Sequence, residues 1–347
     1  MPGLPAIPVI RTGPDFPYET LCHETARAHL LIDGATRGVP RTALHALDKV
    51  SRKWLERWNN AHLGEIDRIS ARLGRPGAYY LSVNYEWGCT TGVLTAPKDG
   101  SARLVRVLDW RTPGLGRYVV AAHVAGRTGP FLTLTWPGYT GVLQAVAPGR
   151  FAAAINQAPM PRRGGGIYPF DWAANKLSVW RSGHATPAHA LRDVFERAAN
   201  FPEAREILIR TPLTAPAIFS LTGVSGEDLS IIERTENEAY VHDGRAAAAN
   251  AWQAPGWEGR PRGKDSLGRV QQMMSANADF GRPSTWLQPP VLNDLTRLAM
   301  IADASNGRLV AEGFENREPA TSLLEWDGGS SMEPKLPSKV GSGATSA

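Results

Sequence analysis

From about Pro17 to Gly74, apolar residues recur at helical spacing. Leu44, Leu47, Val50, Trp54, Leu55 and Trp58 make a stripe at steps of three and four, and Leu63, Ile66, Ile69 and Leu73 continue it. From Ala78 the period falls to two, with β-branched and aromatic enrichment. This predicts strands over Ala78–Tyr85, Cys89–Ala96, Arg103–Asp109, Tyr118–Ala125, Phe131–Trp136, Val142–Ala147 and Phe151–Asn156, punctuated by Pro97-Lys98-Asp99-Gly100 and Pro148-Gly149. After Gly164 the pattern mixes. Helices are predicted over Pro187–Asn200 and Pro202–Arg210, each opening on a proline that a first turn tolerates. Paired short strands follow at Leu229–Glu233 and Glu238–His242, then helices over Ser266–Ser275 and Val291–Asp303. Helices, then strands, then helices argue for an α+β fold with helices layered on sheet. Residues 327–347 are rich in Gly, Ser, Pro and Lys without periodicity and read as a disordered tail.

At 347 residues the chain can bury a sizeable core in one large domain or two medium ones. Its net charge of +5, mixed in sign along the chain, is too mild to argue for nucleic acid. No window approaches the roughly 18 apolar residues of a membrane span. The first twenty residues are proline-rich and lack a signal-peptide pattern, so a cytoplasmic location is expected. Two cysteines, Cys22 and Cys89, do not make a disulfide scaffold. Cys22 reads as buried and inert. His23-Glu24 and His29 differ from a zinc helix, because a second histidine six residues on lies about 240° around the helix. Gly164-Gly165-Gly166 lacks the Lys-Ser/Thr of a phosphate loop and reads as a connector, and His184 and His189 read as surface residues. Neither a cofactor nor a metal is expected.

Cys89 through Asp109 reads as one hairpin turning at Pro97–Gly100. Depending on which residues form the turn, Cys89 faces Leu108 or Trp110. Either register puts Arg106 and Asp109 within about 7 Å of the thiol along the strand. A guanidinium lowers a thiol pKa, and the thiolate is the nucleophile. If Cys89 became a chain terminus, its own α-amine, with a reference pKa near 8, could serve as base while Asp109 oriented it. A lone cysteine in a hairpin is more often a small buried hydrophobe, and an Arg/Asp pair more often a surface ion pair. Spacing alone does not decide between these readings.

Arg106-Val-Leu-Asp109, placed 17 and 20 residues after Cys89-Thr-Thr, resembles the motif of the N-terminal-nucleophile linear amide hydrolases. This is the group of choloylglycine hydrolases, penicillin V acylase, acid ceramidase and N-acylethanolamine acid amidase. Several further segments are similar to the acid-ceramidase branch: Asn84-Tyr85-Glu86, Gly138-Tyr-Thr-Gly141, Pro148-Gly149-Arg-Phe151 through Asn156, and Leu213-Thr-Ala215-Pro216. Gly88-Cys89-Thr-Thr also resembles the cleavage site of the isopenicillin N acyltransferase group. The likeness runs from about Pro17 to Met274.

The resemblance implies a four-layer αββα sandwich. It divides the chain into a largely helical propeptide (1–88), a catalytic domain (89–326) and the tail (327–347), with self-cleavage between Gly88 and Cys89. It implies Cys89 as nucleophile, Asp109 as partner of its amine, Arg106 as electrostatic support, Asn156 and Asn250 around the oxyanion, and Arg269 as a last active-site arginine. Ala249-Asn250-Ala251 departs from the family's usual Thr-Asn-His or Thr-Asn-x-Asp, and the gap from Asn250 to Arg269 is longer than in acid ceramidase. The expected substrate is a small N-acyl amide with an apolar acyl chain, with the propeptide staying associated and a homo-oligomer left open. Acyl transfer, or a catalytically inactive ligand-binding relative, are the rival expectations.

Overall fold

Every residue from Ala102 to Asp109 is buried, which a hairpin achieves only when sheet or helix covers both of its faces. A computed structural model describes residues 3–83, 87–276 and 279–328. Asn84-Tyr85-Glu86 and nearly all of the tail expected at 327–347 lie outside the described residues.

Strand β1 (Val9–Thr12) leads into helices α1 (Phe16–His23), α2 (Thr25–Ala35), α3 (Arg41–Arg57), α4 (Leu63–Leu73) and α5 (Ala78–Val83). The predicted hairpin follows as β2 (Gly88–Thr95) and β3 (Ala102–Asp109), then β4 (Val120–Val124), β5 (Phe131–Thr135), β6 (Gln144–Ala147) and β7 (Phe151–Gln157). Helices α6 (Tyr168–Trp180), α7 (Pro187–Arg197) and α8 (Phe201–Arg210) come next. Strands β8 (Ala217–Thr222), β9 (Leu229–Arg234), β10 (Ala239–Asp243) and β11 (Ala246–Ala248) precede α9 (Ser266–Met274) and α10 (Pro283–Trp286). The described chain closes with β12 (Thr296–Asp303), β13 (Arg308–Glu315), β14 (Glu318–Pro319) and β15 (Leu324–Asp327).

These strands form two sheets, ordered β1-β4-β5-β6-β7-β8-β9-β10 and β11-β2-β3-β12-β13-β14, with β15 paired to β13. The sheets face each other through β2 and β3 against β7 and β8. Helices α7 and α8 cover the outer face of the first sheet, and α9 and α10 that of the second. The result is the expected α+β sandwich in αββα order. Gly92 of β2 shows why α9 can lie so close, since a Cβ there would stand 2.9 Å from Cγ of Met273.

Two predicted elements take the other form. Ala78–Val83 is helical although its aromatic residues favour strand, because Asp48 of α3 accepts the N–H groups of Gly77 (2.6 Å) and Tyr80 (2.8 Å) at its start. The stretch predicted as a helix over Val291–Asp303 is strand β12 from Thr296 onward. It lies between β3 and β13 and is buried on both faces, so its apolar run carries neither period. Helix α6, over Tyr168–Trp180, stands where the spacing predicts no element. The amphipathic stripe of α3 is also offset: Leu44, Trp54 and Leu55 are buried with Asp48 and Ser51, whereas Leu47 and Val50 are exposed. His184 is exposed as expected, but His189 is buried against Thr140.

The segment before Gly88 is woven into the rest. Strand β1 pairs in parallel with β4, Val9 opposite Ala121. Glu65 of α4 is buried against Arg192 of α7 at 2.6 Å, and the same guanidinium donates to the carbonyls of Thr140 and Pro14. Burial favours the neutral Glu65 carboxyl, but His62 and Arg192 outweigh it and hold the group below its usual range. Its contribution to stability is therefore present above the ordinary carboxylate pKa and lost as pH falls through the lowered one. Arg192→Leu leaves the carboxylate buried without its guanidinium and is expected to cost about 3–5 kcal/mol by urea unfolding at pH 7.5. The deficit should shrink toward pH 4.5, where Glu65 can be neutral.

Candidate active site

The hairpin adopts the first of the two expected registers: Cys89 pairs with Leu108, Thr91 with Arg106 and Gly88 with Asp109. Cys89 therefore points between the sheets, fully buried. Arg106, on the neighbouring strand, brings Nη2 to 3.2 Å from Cys89 Sγ. Its Nη1 donates to the carbonyl of Ile155 (2.6 Å) and to Oδ1 of Asn156 (3.3 Å), so β7 of the facing sheet fixes the guanidinium.

The backbone of Cys89 is gripped as tightly as its thiol. Its N–H donates to Oδ1 of Asn250 at 2.8 Å, and its carbonyl accepts from Nη1 of Arg269 at 2.8 Å. Arg269 also reaches Oδ1 of Asn250 (3.2 Å) and stands 3.6 Å from Oδ2 of Asp109. It comes from the first turn of α9, capped by Asp265, whose carboxylate accepts the N–H of Gly268. Thr296 Oγ1 donates to Oδ1 of Asp109 at 3.0 Å. Gly88 fits a confined slot, where a Cβ would lie 3.3 Å from Cβ of Asp109 and 3.7 Å from Oδ1 of Asn250.

The six residues singled out in the sequence thus converge on one place. Asn156 arrives in a particular way: its amide nitrogen donates to Thr91 Oγ1 (3.0 Å) and to the carbonyls of Ala248 and Ala249, not toward the thiol. Sequence reasoning missed Gln157, whose side chain accepts the Trp87 N–H at 2.9 Å and whose carbonyl accepts from Nδ2 of Asn250 at 2.7 Å. It missed Thr91 and Thr296 as well. Their only signal was position, one beside Asn156 at a strand end and the others as small polar residues on buried strands. Among the described residues no group of three or more His, Cys, Asp and Glu gathers as a metal site, and no helix is long and apolar enough to cross a membrane. Cys22, expected to be buried, is an exposed free thiol.

A cavity of about 130 Å³ is walled by Trp87, Ile155, Asn156, Met160, Trp172 and Val179 among others, and the carbonyl of Ile155 lies 3.8 Å from Cys89 Sγ. A larger cleft of about 570 Å³ lies along α6 at Arg181, His184 and Asn237, and no candidate residue lines it. The smaller cavity is the relevant one, because the candidate residue Asn156 lines it beside Trp87 and Gln157.

Electrostatics keep the thiol neutral near pH 7. Burial pushes the Cys89 thiol up to about 11; Arg106 and Arg269 pull it down, helped by the backbone N–H of Gln157, while Asp109 pushes it up. Burial also raises the Asp109 carboxyl, against hydrogen bonds from Asn293 and Thr296 and the charge of Arg269. At pH 7.5 the thiolate fraction of Cys89 is then on the order of 10⁻³ or less. In the full-length chain iodoacetamide should label Cys22 and spare Cys89 at that pH, with Cys89 labelling rising about tenfold per pH unit toward 10. Peptide mapping by mass spectrometry reads both sites.

No protein-family model matches the chain. Human acid ceramidase is 27% identical over 191 residues, which cover 51% of this chain and 46% of that protein. Acid ceramidase of Heterocephalus glaber is 31% identical over 114 residues, 33% of this chain and 27% of the relative. The chain spans about half the length of the curated relatives it matches, or less. Among solved structures, an N-acylethanolamine-hydrolyzing acid amidase ortholog of Caenorhabditis elegans aligns at a TM-score of 0.45 and 19% identity, covering 61% of this chain and 92% of that one. A conjugated bile acid hydrolase from Clostridium perfringens aligns at 0.39 and 11%, covering 69% and 92%. The chain is thus similar to acid ceramidase over about half of its length, and within it Cys89, Arg106, Asp109, Asn156, Asn250 and Arg269 converge on one place.

Proposed function

We propose that this protein is a self-processing cysteine amidohydrolase that cleaves linear N-acyl amides through a thioester acyl-enzyme. The observation that carries this reading is a buried thiol 3.2 Å from a guanidinium, with its own backbone N–H and C=O each held by a candidate catalytic residue. A merely structural cysteine needs neither.

Cys89 lies well inside the chain, so its amine is locked in a peptide bond. In this reading the Gly88–Cys89 bond breaks first, dividing the chain into 1–88 and a catalytic part from 89 onward. The freed α-amine, with a reference pKa near 8, then takes the thiol proton. Asp109, opposite Gly88, and Oδ1 of Asn250 are placed to orient that amine. The thiolate attacks the amide carbonyl, the amine leaves, and water hydrolyses the thioester. Asn250 gives one Nδ2 hydrogen to the Gln157 carbonyl and keeps the other, which makes it the favoured side-chain donor to the oxyanion. Asn156, whose amide is already committed elsewhere, acts by holding Arg106. Arg269 holds the carbonyl of Cys89.

The apolar walls at Met160, Trp172 and Val179 suit an apolar acyl chain, and the similarity to acid ceramidases favours ceramide-like or N-acylethanolamine-like amides. After cleavage the 1–88 fragment is held by β1 in the first sheet and by the Glu65–Arg192 pair.

Intact-mass spectrometry of active protein should show two fragments separated at Gly88–Cys89; full activity from an uncut chain would sink the processing step. Cys89→Ala should abolish both cutting and hydrolysis of an N-acyl amide, while Cys22→Ala leaves both in place. In protein that has cut, Asn250→Ala should lower kcat about 10²–10³-fold, the usual loss for one oxyanion donor.

A further inference from the structure

The segment that must break is held from both sides in the uncut chain, and one residue outside the expected set touches both holds. Gln157 ends β7, paired with Ala217. Its side-chain oxygen accepts the N–H of Trp87 at 2.9 Å, two residues before the thiol. Its backbone carbonyl accepts from Nδ2 of Asn250 at 2.7 Å, and the other end of that carboxamide receives the Cys89 N–H. The Trp87 ring is fixed as well, stacked on Trp110 at 5.2 Å with 22° between planes.

The chemistry of an N→S shift gives this clamp a meaning. A bond forms from Cys89 Sγ to the carbonyl carbon of Gly88 while the bond from that carbon to the Cys89 nitrogen breaks. The thiol proton ends on that nitrogen, which becomes the α-amine. Water then hydrolyses the thioester, leaving a carboxylate on Gly88 and restoring the thiol. The first acyl group the enzyme carries is therefore its own Trp87-Gly88 segment. The shift requires the Gly88 carbon to stay in reach of sulfur while its bond to nitrogen weakens, and an anchor on the Trp87 N–H limits its drift.

We propose that Gln157 is the positioning residue of the self-cleaving step, its side chain holding Trp87 and its carbonyl setting the Asn250 carboxamide. This rests on the reading that Gly88–Cys89 is cut. An external amide brings no Trp87, so the side-chain contact matters more to cutting than to turnover.

The test uses full-length Gln157→Met, which keeps length and removes the acceptor, Gln157→Asn, whose shorter amide cannot reach Trp87, and Gln157→Glu, which keeps an acceptor in place. Cutting is followed by intact mass, turnover of an N-acyl amide is measured per cleaved molecule, and melting temperatures are recorded. The Met and Asn variants should cut about tenfold or more slowly, the scale expected when a reacting group is misplaced. The Glu variant should recover most of the wild-type rate. Cutting should lose at least about tenfold more than turnover does. Wild-type cutting in both the Met and Asn variants overturns the proposal. So does an equal loss in cutting and turnover, or a loss that follows the fall in melting temperature with no rescue by Glu. A wild-type chain that never cuts defeats the processing reading instead, and that outcome is seen before any variant is compared.

Discussion

Exclusion of water from Cys89 is the constraint on which the site depends. A thiol at a sheet surface would sit near its ordinary pKa, and placing it between two sheets raises that value to about 11. The same dry interior makes neighbouring charges count for more. Arg106 and Arg269 pull the thiol down while Asp109 balances them, so the group is neutral at rest and still faces cations poised to stabilise its anion. Desolvation also lowers both guanidiniums from their usual range, against the opposing pull of Cys89 and Asp109.

That arrangement suits a group awaiting its base. In the proposed reading the nucleophile, the guanidiniums and the carboxamides are assembled before the chain is cut, and the α-amine alone is missing. Assembly can precede activation because backbone atoms of Cys89, not just its sulfur, are hydrogen-bonded to Asn250 and Arg269. Breaking the bond to Gly88 would free a terminus already surrounded by its partners.

The scaffold explains how the two sides of that bond stay together. Strand β1 extends the first sheet, and α4 meets α7 through the buried Glu65–Arg192 pair. The helices before Gly88 also share a core with Val179 and Trp180 of α6, whose carbonyls accept the indole N–H groups of Trp54 and Trp58. The cavity wall at Val179 is thus buttressed by the segment before Gly88.

Much of this was legible in the sequence. Period-two alternation with a turn at Pro97–Gly100 placed Arg106 and Asp109 beside Cys89, because a hairpin is a local structure whose turn restricts its register. The α+β order of elements was legible for the same reason, each element being coded by its own spacing. Where spacing is silent, sequence reading went astray. Strand β12 is buried on both faces and shows no alternation, and α5 begins as a helix because Asp48, about thirty residues upstream, receives its first N–H groups. The gathering of Asn250 and Arg269 at Cys89 was implied only by a family likeness, and Gln157 by nothing at all. The sequence by itself determined the hairpin and the identity of its chemical groups, since neighbours on paired strands are set by backbone geometry. Tertiary structure alone decided that the thiol is dry, that Asn156 turns to Thr91, and that an arginine 180 residues away holds the Cys89 carbonyl. Those outcomes depend on how two sheets and a helix pack, and packing is a property of the folded chain that no local spacing encodes.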